Sequence, residues 1–197
     1  MHNPLADKEK RARTVCVFCG SSPGRNPRYA EAARELGRLL AENGFSLVFG
    51  GGNIGLMGEV ARAARAGGAP VTGVLPDFLK HLETPLETGE TLIRTPDLQQ
   101  RKARMLALAD AFVILPGGLG TLDEYFEVLT SIQLQVLAKP VVLIGADGFF
   151  DPLKALLDHV IREGFADAGL LRLQHIVASP DEAIAILRVK SPAAGTV

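Results

Sequence analysis

Short apolar runs rich in β-branched residues alternate along this chain with longer stretches of helical periodicity, and no other feature of the sequence restricts the fold so far. The runs are TVCVFC (14–19), SLVFG (46–50), PVTGVLP (70–76), AFVILP (111–116), PVVLIG (140–145) and HIVAS (175–179), and the more polar TLIRT (91–95) reads as a further one. Between them, residues 27–43 set Ala33, Leu36, Leu39 and Leu40 at helical spacing, and residues 149–163 do the same with Phe149, Leu153, Leu156, Leu157 and Val160. Repetition of this kind builds βαβ units, so the expected fold is α/β: a doubly wound, mostly parallel sheet with helices on both faces.

With 197 residues and 47% hydrophobic content, the chain can bury one sizeable core, read here as a single domain over 14–189. Residues 1–13 are charged and 190–197 are small and polar, and both read as mobile tails. A net charge of −1 gives no electrostatic footprint for nucleic acid, which leaves small molecules as the expected partners. The start, MHNPLADKEKRART, has no apolar signal core, and no apolar run reaches the roughly 18 residues of a membrane span, so the chain reads as cytoplasmic with no membrane partner. Cys16 and Cys19 form a C-x-x-C, but no second pair exists and His2, His81, His159 and His175 lack ligand spacing, so no metal is expected. Both thiols fall in a strand, where positions three apart face opposite sides, and are expected to be reduced and buried.

Ligands of such sheets bind beyond the carboxyl ends of the strands, which turns attention to three loops. CGSSPGRNP follows the first strand, GGGNIGLMG the second and PGGLGT the strand at 111–115, each leading from glycine into a helix where backbone N–H groups can meet an anion. Gly50, Gly52 and Gly55, with Asp77 further on, match the dinucleotide fingerprint formally, but on the second strand instead of the first. A Walker lysine pattern and a G-x-S-x-G elbow are both missing. Thr121 and Glu124 have the spacing of a capping box, T-x-x-E, which explains those two residues without any function. Three preceding glycines, and Asp123 and Glu127 beside them, lie outside that explanation.

PGGLGTLDE resembles the P-G-G-x-G-T-x-x-E motif of the "lonely guy" family of cytokinin riboside 5′-monophosphate phosphoribohydrolases. VFCGSS (17–22), GGGNIGLMG (50–58), Arg101 with Lys102, and KPVVLIGADGFFDPL (139–153) are similar to that family's other blocks, in its order, over roughly residues 14 to 180. The resemblance implies a Rossmann-like homodimer that needs no cofactor and hydrolyses the N-glycosidic bond of a nucleoside 5′-monophosphate to free base and ribose 5-phosphate. It assigns catalysis to Arg101 and Glu124, and phosphate binding to Gly117, Gly118, Gly120 and Thr121. Ser21, Ser22, Gly52, Met57 and Lys102 fall in or beside the blocks that line the nucleotide pocket.

Those residue types suit the reaction, because a carboxylate can oppose the positive charge that builds on the sugar as the C–N bond breaks, as in glycoside hydrolysis. Without the resemblance, Arg101 and Lys102 in QQRKARML read as ordinary helical surface charges. Leu98 and Gln99 stand where many members carry a histidine, and Ser131 where many carry an aromatic residue, so the base stays open between cytokinin nucleotides, plain AMP and other purine nucleotides. A phosphorylated-cofactor carrier of the same fold also stays open. Lysine decarboxylase, a label often attached to this family, finds no motif here for a Schiff-base lysine and its pyridinium partner. A helix expected over 121–138 places Leu122, Tyr125, Phe126, Leu129, Ile132 and Val136 in one wide apolar stripe, which suggests pairing of two chains.

Overall fold

A computed structural model describes residues 13–79 and 91–189. The expected tails therefore fall almost wholly outside the described residues, as does His81. Seven strands, β1 (Thr14–Phe18), β2 (Ser46–Phe49), β3 (Val71–Pro76), β4 (Thr91–Thr95), β5 (Ala111–Ile114), β6 (Val141–Ile144) and β7 (His175–Val177), form one sheet in the order β4-β3-β2-β1-β5-β6-β7. Every pairing is parallel, with registers such as Val15↔Leu47 between β1 and β2 and Val15↔Ala111 between β1 and β5. TLIRT is the edge strand beyond β3, and its polar residues suit a position with one neighbour.

Among the described residues, six α-helices cover both faces: α1 (Pro27–Glu42), α2 (Gly55–Ala66), α3 (Leu98–Leu108), α4 (Leu119–Gln133), α5 (Asp151–Arg162) and α6 (Pro180–Val189). Strand residues alternate between the two layers. Val15, Val17 and Cys19 pack with Leu36 and Leu40 of α1, Val60 and Ala64 of α2 and Leu187 of α6. Cys16 and Phe18 point the other way, toward Met105 of α3, Tyr125 and Leu129 of α4 and Leu157 of α5. The two thiols are thus free, buried and on opposite faces, as their spacing predicts. Burial pushes both well up, because a thiolate there would lose its hydration, so neither is poised as a nucleophile.

Local chemistry sets where the helices begin. Asn26 caps α1 by accepting from the Arg28 amide at 3.1 Å, and Pro27 supplies the fixed φ of a first helical residue. Asp97 caps α3 by accepting from the Gln100 amide at 2.7 Å. The helix expected over 121–138 is displaced: α4 starts at Leu119, with Gly118 in its N-cap position and no side-chain cap, and ends at Gln133 before Gln135 turns to φ +59. Thr121 therefore lies inside the first turn, and the capping box is not formed. Val136 leaves the helix, while Tyr125 and Leu129 of the stripe are core.

After β4 the chain returns through α3 to lay β5 against the other side of β1. Strand order reverses there, so the loops leaving β1 and β5 diverge and open a crevice at the carboxyl ends.

Candidate active site

A cavity of about 260 Å³ occupies that crevice, walled by β1 and its loop, Gly50, Met57, Arg101 and the start of α4 through Glu124. The loops are held together by backbone contacts. Gly20 donates to the Pro116 carbonyl at 3.0 Å and accepts from the Leu56 and Met57 amides at 3.0 and 3.3 Å. The first turn of α2 thereby spends two amides on the β1 loop, and Gly55, at φ +59, leaves no room for a Cβ against the Ser21 backbone. Much of the glycine run after β2 serves close loop packing.

At α4 the balance is different. The amides of Leu119, Gly120 and Thr121 belong to the first helical turn, and none has a protein acceptor among the described residues. Gly118 and Gly120 have open space where a Cβ would stand, whereas one on Gly117 would fall on Thr121 and within 2.9 Å of the Gly20 nitrogen. An unsatisfied helix N-terminus opening into a cavity is a place for an anion.

One and a half turns further along α4, Glu124 is buried and faces Arg101 of α3, with Oε1 3.1 Å from Nη1. Arg101 is held by backbone as well: Nε donates to the Val74 carbonyl at 3.0 Å and Nη2 to the Gly50 carbonyl at 3.2 Å. Burial raises the Glu124 carboxyl more than Arg101 lowers it; Asp123 and Glu127 add to the rise, Lys102 opposes it, and the result is a carboxyl pushed up to about 7.

The structure gathers Ser21, Met57, Arg101, Gly118, Gly120, Thr121 and Glu124 around this cavity. Ser22 and Gly117 line a second hollow of about 220 Å³, walled by Tyr29, Leu56, Pro116 and Phe149, which shares Gly20, Ser21 and Gly118 with the first. Gly52 and Lys102 line neither. The Lys102 ammonium bridges Asp123 at 2.9 Å and Glu127 at 2.7 Å, tying α3 to α4, and those two carboxylates hold it above its ordinary range. Asp77, the acid of the formal fingerprint, pairs with Arg94 on the exposed end of β3, at 3.4 Å. Sequence reasoning did not single out Cys19, Gly20 or Leu119 as lining, nor the contact between Gly50 and Arg101. Leu119 had a signal, being the one apolar residue in a glycine loop; the Gly50 contact spans 51 positions and had none.

Residues 57–187 match the model of a family described as possible lysine decarboxylase. The chain is 47% identical over 170 residues to the probable cytokinin riboside 5′-monophosphate phosphoribohydrolase LOGL5 of Oryza sativa subsp. japonica, covering 86% of this chain and 68% of that protein. It is 44% identical over 177 residues to the cytokinin riboside 5′-monophosphate phosphoribohydrolase LOG7 of Arabidopsis thaliana, covering 90% and 81%. Among solved structures it is similar to the molybdenum cofactor carrier protein of Chlamydomonas reinhardtii, with a TM-score of 0.68 and 26% identity over 91% of this chain and 98% of that one.

Proposed function

Because the chain belongs to the family of the cytokinin riboside 5′-monophosphate phosphoribohydrolases, we propose that it hydrolyses the N-glycosidic bond of adenine-type nucleoside 5′-monophosphates, cytokinin nucleotides and plain AMP among them, to the free base and ribose 5-phosphate. The observation that carries this reading is the buried Glu124–Arg101 pair, set in the same cavity as the open amides of α4. Phosphate takes the amides of Leu119, Gly120 and Thr121, where the helix dipole is favourable, and this anchors the ribose with its C1′ toward Glu124. As the C1′–N bond lengthens, its electron pair leaves with the base and the sugar becomes cationic. Ionised Glu124 stabilises that cation and takes a proton from the water whose oxygen bonds to C1′. The proton lost by water balances the one the departing base takes up.

Arg101 keeps the carboxylate aligned and opposes its protonation. Exposed Phe126, Leu134 and Val136, at 37%, 68% and 79%, favour a homodimer paired through the α4 side. No helix among the described residues is long and apolar enough to cross a membrane, in keeping with the cytoplasmic site of action we propose.

The likeness to a cofactor carrier favours one other reading, binding without turnover. A carrier has no use for a carboxylate whose proton affinity is tuned to about 7 beside an anion site. Amine chemistry on lysine fits the site less well: a Schiff-base lysine works with a lowered proton affinity, and Lys102 has a raised one. Chromatography of the purified protein with AMP and with isopentenyladenosine monophosphate decides between these readings. Release of free base supports hydrolysis; tight binding with no base released supports the carrier; cadaverine from lysine in the presence of pyridoxal phosphate would overturn both.

A further inference from the structure

We propose that Gly50 is a positioning residue, whose carbonyl and missing side chain together form the seat that holds the Arg101 guanidinium against Glu124. Gly50 follows β2 and is buried, and its φ does not lie in the left-handed region, so backbone conformation does not require a glycine there. Space requires it. A Cβ on Gly50 would fall on Arg101 Nη2 and 2.8 Å from Met57 Sδ. Both atoms are ends of flexible side chains, so the fold can absorb a methyl group, whereas Arg101 cannot keep its place beside one.

That place is fixed from three sides. The Gly50 carbonyl, just past β2, and the Val74 carbonyl, within the neighbouring β3, accept from Nη2 at 3.2 Å and Nε at 3.0 Å, and Nη1 is left to meet Glu124 at 3.1 Å. Anchored in this way, Arg101 acts through Glu124: it fixes which carboxylate oxygen is engaged and supplies the charge that opposes burial. The phosphate end of the substrate is left to α4. A planar fork gives this geometry and a lysine does not.

Resting on the hydrolase reading above, the proposal predicts a particular pattern for Gly50→Ala. Turnover of AMP falls by at least roughly tenfold through lost alignment, while KM for AMP stays within about threefold. The acidic limb of the rate profile moves alkaline by about half a unit or more, since Arg101 no longer opposes Glu124 protonation. In an Arg101→Ala background the same methyl meets no guanidinium, and Gly50→Ala costs less than about twofold there. A second readout needs no turnover. Nitrogen-15 NMR of arginine-labelled free protein follows the Arg101 Nε–H, assigned by its disappearance in Arg101→Lys; it exchanges slowly in the wild type and rapidly in Gly50→Ala. If the wild type cleaves no nucleotide, the hydrolase reading fails and the NMR measurement still decides the seat. More than half the wild-type turnover, an unchanged Nε–H, or an equal loss in the Arg101→Ala background each overturns the proposal.

Discussion

Glu124 sits between two opposing forces, and their balance sets how the protein responds to pH. The guanidinium 3.1 Å away favours the carboxylate; removal from water favours the acid; burial is the larger, and the carboxyl rises from an ordinary 4.5 to about 7. The proposed mechanism needs the carboxylate, so kcat/KM is expected to climb through a limb centred near pH 7 and level off above it, measured on AMP from pH 5 to 9. Glu124→Gln keeps the shape and removes the charge. Its turnover should fall by at least roughly 10²-fold, and the double variant with Arg101→Ala should lose less than the product of the two single losses. Near-normal turnover of Glu124→Gln would sink the mechanism. Stability has its own sign. Between pH 4.5 and 7 the folded chain keeps a proton that the unfolded chain releases, so rising pH destabilises the wild type through that window. The melting temperature of Glu124→Gln, measured against wild type, should therefore gain several degrees between pH 5 and pH 8.

At the scale of elements, α4 sets an open helix N-terminus, the anion site of the proposed function, a turn and a half before a buried carboxylate. Thr121 and Glu124 read in the sequence as a cap and its partner, and that reading failed for a definite reason: Gly118 takes the N-cap position, three residues before Thr121, and Glu124 pairs with Arg101 of α3 instead. Among the described residues, the first three amides have no acceptor and are open to a ligand. Adenosine should consequently be cleaved at least roughly 10²-fold more slowly than AMP, because the binding energy of the phosphate is used to position the sugar. Gly117→Ala would drive a methyl onto Thr121 and the Gly20 nitrogen, shifting the loop that presents those amides. KM for AMP should rise roughly tenfold in that variant, with adenosine cleavage nearly unchanged; equal losses on both substrates would remove the phosphate from α4. Nearby, Asp147 holds a left-handed φ of +57 and is latched to α1 by the Asn26 side-chain amide at 2.7 Å. No local pattern announces that latch, since its partners lie 121 positions apart.

For the whole molecule, the question is what covers the apolar residues that the fold leaves in water. Of the expected stripe, Tyr125 and Leu129 are core, whereas Phe126 is 37% exposed and Val136 more so, and Leu134, outside the stripe, is exposed as well. Light scattering at micromolar concentration should return about twice the chain mass of 20.9 kDa. Phe126→Glu should bring that value down toward the monomer while leaving the circular dichroism of the fold in place. A wild-type mass near 20.9 kDa would show that the patch has no partner of its own kind.

Fold class was settled by the sequence because a parallel strand is buried on both faces and must be apolar along its length, so runs such as TVCVF and VVLI announce themselves locally. The loops leaving β1, β2 and β5 were legible for the same local reason, as glycine is placed where backbone must come close. Which loop packs and which leaves its amides open was decided by tertiary structure: the first α2 amides meet the Gly20 carbonyl, and the amides of Leu119, Gly120 and Thr121 meet no acceptor among the described residues. The pairing of Arg101 with Glu124, and of both with Gly50, was decided there too, because it depends on β5 folding back against β1 and on a balance of burial against charge that exists only once the chain has closed around it.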